Sequence, residues 1–92
     1  MSNRRAVWKY ALPMADEVVV CMPEHAQVLH IAAQNNQPQI WAQVDPSAPI
    51  VDRVFEVRGT GHTWQHDPRR VHLGTFMLHG GGLVFHVFEV LK

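Results

Sequence analysis

Seven histidines in 92 residues is the one unusual count in this chain. Three of them, His62, His66 and His72, fall close together around Asp67. Imidazoles with one carboxylate form a donor set that zinc or non-haem iron accepts. The spacing speaks against that use. No H-x-H or H-E-x-x-H string occurs, and a four-residue step aligns side chains on one face only in a helix. Loop histidines commonly serve to cap turns, so no metal is assigned, and the three stay as weak candidates. Covalent catalysis needs a nucleophile beside a base. Ser47, Thr60, Thr63 and Thr75 are available and His62 neighbours two of the threonines, yet there is no strained G-x-S-x-G turn. The carboxylates are scattered singly, not paired for acid–base work on a glycoside, and no phosphate-cradling glycine loop occurs. No catalytic residue and no cofactor is therefore assigned.

The string Arg58-Gly-Thr-Gly-His-Thr-Trp64 offers binding chemistry instead. Gly59 and Gly61 let backbone amides approach a ligand, Thr60 and His62 supply polar contacts, Arg58 supplies charge and Trp64 a flat stacking surface. Such a grouping suits a small anionic or nucleotide-like ligand. The plainer alternative is a tight bulged turn whose glycines only permit positive φ. His79 and His86 lie on opposite arms of the closing hairpin. Pairing residue 79 with 82 or 83 sets His86 opposite Thr75 or Phe76, so the two histidines are not a ligand pair. His86, between Phe85 and Phe88, reads as a hydrogen-bonded core histidine.

These residues must be positioned by strands. Seven segments alternate apolar and polar residues or are rich in β-branched and aromatic ones: 5–12, 17–22, 25–33, 39–45, 51–58, 73–79 and 83–90. The third could be a short helix by composition, but its interleaved apolar residues suit a strand with both faces partly covered. The fourth shows clean period two, with Ile40, Ala42 and Val44 against Gln39, Trp41 and Gln43. Asn35-Asn36-Gln37-Pro38 and Gly80-Gly81-Gly82 are turn signals. The last strand is apolar on both faces, which places it centrally in a sheet or at an oligomer seam. Prolines interrupt every long helical candidate. The expectation is one all-β domain over residues 1–92, a small antiparallel β-sandwich or partly closed barrel of about seven strands.

Hydrophobic residues make up 47% of the chain and charged residues 17%, which excludes a disordered tail. Lysine plus arginine equals aspartate plus glutamate, eight each. Duplex nucleic acid is therefore not expected as a partner. A chain of this size leaves apolar surface uncovered, so a homo-oligomer is expected. Cys21 is the sole cysteine; it follows three valines and is expected to be a buried, inert thiol. No apolar run reaches the length of a membrane span and no signal peptide is evident, so a cytoplasmic location is expected.

Several short strings occur in one order over nearly the whole chain: Trp8-Lys9-Tyr10, Leu12-Pro13, Asp16-Glu17, Met22-Pro23, Trp41-Ala42, Val44-Asp45-Pro46, Gly59-Thr60-Gly61-His62, Gly74-Thr75-Phe76 and Leu83-Val-Phe-His-Val-Phe-Glu89. In these the chain resembles an uncharacterised family of small proteins encoded mainly by bacteriophages and prophages. The resemblance implies a phage or prophage origin, hence the host cell cytoplasm, and carries no assigned activity. Residues 66–70 match no string. The functional expectation is a non-enzymatic phage accessory protein that self-associates and binds a small ligand or host protein, in one version sequestering a nucleotide-derived immune signal. The alternatives are a virion structural or assembly protein and a metal-dependent enzyme using His62, His66 and His72.

Overall fold

The computed structural model describes residues 3–92; Met1 and Ser2 of the expected domain lie outside the described residues. Seven strands form in chain order: β1 (Ala6–Ala11), β2 (Glu17–Pro23), β3 (Gln27–Gln34), β4 (Gln37–Val44), β5 (Ile50–Gly59), β6 (Arg70–Leu78) and β7 (Leu83–Val90). All pair antiparallel, in a three-stranded sheet β1-β4-β3 and a four-stranded sheet β2-β5-β7-β6. The sheets are not closed into a barrel. Apart from a 3₁₀ turn at His79–Gly81, no helix forms among the described residues, and none is long enough to cross a membrane.

Alternation explains the core. Val18, Val20 and Met22 of β2, Phe55 and Val57 of β5, Val87 of β7, and Phe76 and Leu78 of β6 are buried on the inner face of the larger sheet. Ile31 of β3 with Ile40, Ala42 and Val44 of β4 answer them from the smaller one, and all belong to one cluster. The strand 25–33, ambiguous by composition, is β3, since its Ile31 and Ala33 pair with Ile40 and Pro38. As expected, β7 is central, between β5 and β6. Strand β6 ends its sheet, but it lies against β3. The expected register also holds, with Thr75 opposite His86.

Two hairpin tips tie the sheets together. Asn35 and Asn36 both take positive φ, 52° and 62°, in a two-residue turn between paired Gln34 and Gln37. That geometry matches the right-handed twist of the strands it joins. The Asn36 side-chain oxygen accepts from the His79 N–H at 2.9 Å, at the tip of the β6–β7 hairpin. Bulges interrupt β3 between Val28 and His30 and β6 between His72 and Gly74. At Gly74 the sheets converge: a β-carbon there would stand 3.0 Å from Cβ of Ile31.

One ion pair sits on the inner face of the larger sheet. Glu89 receives Nε and Nη2 of Arg53 in a two-pronged contact, the second at 2.9 Å, while Nη1 donates to the Ala26 carbonyl at 2.8 Å. Two expectations are corrected here. Cys21 is exposed, not buried, because alternation in β2 sends Val18, Val20 and Met22 inward and Cys21 outward. Its thiol donates to Asp52 Oδ1 at 3.1 Å, and this bond, with the carboxylate's charge, raises the thiol pKa. His86 is not a core residue. It projects from the outer face of β7, half-buried, while Phe85 and Val87 take the inner face.

Candidate functional site

Strand β5 ends where the candidate segment begins. The His62 N–H donates to the Gly59 carbonyl at 3.1 Å, closing a turn in which Gly61 holds φ of 89°. A type II turn requires positive φ at that third position, where glycine is unstrained. The Thr60 N–H donates to the Val84 carbonyl at 3.2 Å, which keeps the turn against β7. So the glycine string is a tight turn, and it also sorts the neighbouring side chains onto two sides of the sheet.

On the inner side, the His62 ring folds back over Gly59, where a β-carbon would lie 3.1 Å from Cε1 of the ring. His62, Gly59 and Phe85 line two hollows. One, of about 120 Å³, is bounded by Met14, Ala15, Asp16 and Val57. The other, of about 360 Å³, is bounded by Thr60, Gly82, Leu83 and Val84.

On the outer side, Arg58 and Trp64 come together with residues from β6 and β7. The guanidinium carbon of Arg58 stands 6.0 Å from the centroid of the Trp64 ring, at the outer limit of cation–π attraction. Its Nη1 donates to the Asp16 carbonyl at 2.8 Å, and its Nη2 is 3.3 Å from Glu56 Oε2. The other Glu56 oxygen receives Nε of Arg70, and that bond holds the Arg70 pKa above its ordinary value. Glu56 is only 7% exposed. One buried carboxylate is shared by two guanidiniums, and the exposed Glu17 stands opposite it in the β2–β5 register. Trp64 meets Phe88 edge-on at 5.5 Å, and His72 meets the same ring at 5.2 Å.

A chain of polar side chains runs beside this aromatic group. Thr60 Oγ1 is 2.8 Å from His86 Nε2, His86 Nδ1 is 3.0 Å from Thr75 Oγ1, and Thr75 Oγ1 is 3.5 Å from His72 Nε2. The Thr60 hydroxyl also faces the Val84 carbonyl at 3.3 Å. If it donates there, it accepts from Nε2–H of His86, and Nδ1 then accepts from Thr75.

Of the six ligand-binding candidates, Arg58, Thr60 and Trp64 thus converge on the outer face. Gly59 and Gly61 shape the turn, and His62 lies on the other side. The weak metal candidates do not gather: His72 stands beside Phe88, His62 over Gly59, and His66 is exposed in the crossing segment. Among the described residues, no three His, Cys, Asp or Glu side chains form a group suited to a metal ion. Sequence reasoning missed Glu56 and Phe88, weighed Thr75 only as an available nucleophile, and read the Arg69–Arg70 pair as a solvated loop. Alternation alone puts Glu56 with Arg58 and Phe88 with His86, but only the β5–β7–β6 register sets Glu56 opposite Phe88 and His72 beyond it. A larger groove, about 660 Å³, lies elsewhere, lined by Asp52, Arg53 and Glu89 among others. Its Arg53 is already committed to Glu89 and Ala26.

A family model described as a domain of unknown function, DUF7352, matches residues 3–92. The chain belongs to the DUF7352 family. No curated protein and no solved structure matches it. The DUF7352 match spans both sheets and the whole candidate segment, so the outer-face constellation lies within the family's domain.

Proposed function

We propose that this DUF7352 chain is a non-enzymatic binding protein of phage or prophage origin, acting in the host cytoplasm, that self-associates and takes a small anionic, nucleotide-like ligand on the outer face of its four-stranded sheet. The observation that carries the reading is the pair of guanidiniums, Arg58 and Arg70, sharing the single buried carboxylate of Glu56 beside the exposed Trp64 ring. A flat heterocycle stacks on the indole while its phosphate meets the guanidiniums, and Thr60 and the histidine chain read polar edges. Sequestration needs tight binding and no turnover, so the titrated nucleotide should be recovered unchanged, although Thr60 and Thr75 both lie within hydrogen-bond reach of His86. Calorimetric titration with cyclic nucleotides and ADP-ribose derivatives tests this. Heat release with the native chain and its loss in Trp64→Ala are expected; no heat across the panel overturns the ligand.

A second reading, an assembly component of the virion, draws support from the edges of β1 and β2, since the other two sheet-ending strands, β3 and β6, lie against each other. It predicts that the protein is detected by mass spectrometry in washed particles, and absence there removes it.

A further inference from the structure

Strands β1 and β2 each end a sheet with one side unpaired among the described residues. Two backbone bonds reveal which groups point outward. The Val57 N–H donates to the Asp16 carbonyl at 3.2 Å, and residue 16 stands opposite 57 in the β2–β5 register. Bonded and non-bonded pairs alternate along an antiparallel ladder. Even-numbered residues of β2 therefore bond to β5, and the N–H and C=O groups of Glu17, Val19 and Cys21 face outward. Pro23 closes the row, because it has no N–H and its carbonyl already accepts from Ala26. For β1, the bond from the Leu12 N–H to the Pro38 carbonyl at 3.0 Å turns Val7, Lys9 and Ala11 outward by the same rule.

The two rows differ at their midpoints. Lys9 occupies the centre of the β1 row, where a two-fold partner would set lysine against lysine. Edge lysines are a known guard against pairing. Val19 occupies the centre of the β2 row, 54% exposed and uncharged.

We infer that a second copy of this chain pairs antiparallel along β2, with the two-fold axis through Val19, joining the four-stranded sheets into one. The inference rests on the self-association proposed above and adds the edge and the register. Val19 then faces Val19 of the partner subunit, and Glu17 faces Cys21 of the partner subunit. Three bonded pairs form, with about six backbone hydrogen bonds. On the inner face Val18 meets Val20 of the partner subunit, continuing the apolar row. Other centres are worse. An axis through Cys21 brings Pro23 into the ladder and loses a donor, and one through Glu17 opposes two carboxylates. An axis through Val18 or Val20 leaves only two bonded pairs within β2, Glu17 with Val19 or Val19 with Cys21, in place of three.

Sedimentation velocity across a micromolar dilution series, together with cross-linking, tests this. The native chain is expected to dimerise, Val19→Lys to weaken the dimer by at least about tenfold through like-charge opposition, and Val7→Lys to leave it unchanged. Val19 is already exposed, so far-UV circular dichroism of Val19→Lys should match the native trace. Glu17→Cys with native Cys21 should give a covalent dimer on mild oxidation, since paired α-carbons stand about 5.5 Å apart. Lys9→Cys in a Cys21→Ser background should not. A native chain that is monomeric throughout overturns both self-association and this edge. A native dimer that survives Val19→Lys and does not cross-link overturns the β2 edge alone and leaves self-association standing.

Discussion

Strand β5 carries an arginine on each face, and each arginine meets a glutamate, but the two systems are built differently. On the inner face, Arg53 and Glu89 pair one to one, and the remaining guanidinium arm is taken by the Ala26 carbonyl. Every charge there is answered, so the group can hold β5 to β7 and to the β2–β3 connection but has nothing left for a ligand. On the outer face, Glu56 is shared by Arg58 and Arg70, and Trp64 leans over the result. That system offers two guanidiniums that share one buried carboxylate beside an aromatic surface. The difference teaches that ion-pair counts do not separate scaffold from site; how each charge is shared and the company of exposed rings do.

Breaking the inner pair should have the largest effect. Glu89→Gln leaves the half-buried Arg53 guanidinium without the counter-charge of the buried Glu89, and a loss of about 3 kcal/mol in unfolding free energy is expected, read by urea denaturation. Next comes the seam that the inner face depends on. In Gly74→Ala the new methyl meets Ile31 where the sheets are closest, and overpacking of this kind costs about 2 kcal/mol, visible as a lower Tm. The outer face should respond in the opposite sense. Trp64 is 40% exposed, so Trp64→Ala should cost less than about 1 kcal/mol of stability while abolishing calorimetric heat with nucleotide ligands. A Trp64→Ala variant that unfolds, or one that binds normally, would erase the proposed contrast between the faces.

The smallest effect is a pH dependence set by two turn carboxylates, Asp67 and Asp45. The Arg69 guanidinium and backbone N–H bond Asp67 and hold its pKa down to about 2. The Ser47 hydroxyl and N–H lower that of Asp45. Both carboxylates are more acidic folded than unfolded, so their contribution is present above the ordinary carboxylate pKa of about 4. It is lost as pH falls from there, for Asp67 toward about 2. Tm should therefore be flat through neutral pH with respect to these groups and decline in that acid window. Asp67→Asn should flatten part of the decline.

Much of the scaffold was legible because strand alternation is a local property. The seven segments, the central place of β7 and the opposition of Thr75 and His86 all follow from period two and from turn chemistry at 35–36 and 79–82. The same rule, applied to 17–22, would have turned Cys21 outward; its valine-rich neighbourhood was misleading because Val19 is exposed as well. The candidate site was legible only in its contiguous part. Arg58, Thr60 and Trp64 share a face, yet their partners Glu56, Arg70, Thr75, His86 and Phe88 come from three strands.

What the chain determines by itself is where backbone becomes strand and where it turns, since side-chain alternation, proline and the positive φ of glycine and asparagine act within a few residues. Which strands become neighbours was decided only in the tertiary structure. Long-range pairing places β7 between β5 and β6 and sets two guanidiniums on one carboxylate. The physical reason is that charge balance and ring contacts depend on distances between residues far apart in sequence, and those distances exist only after the sheets have formed.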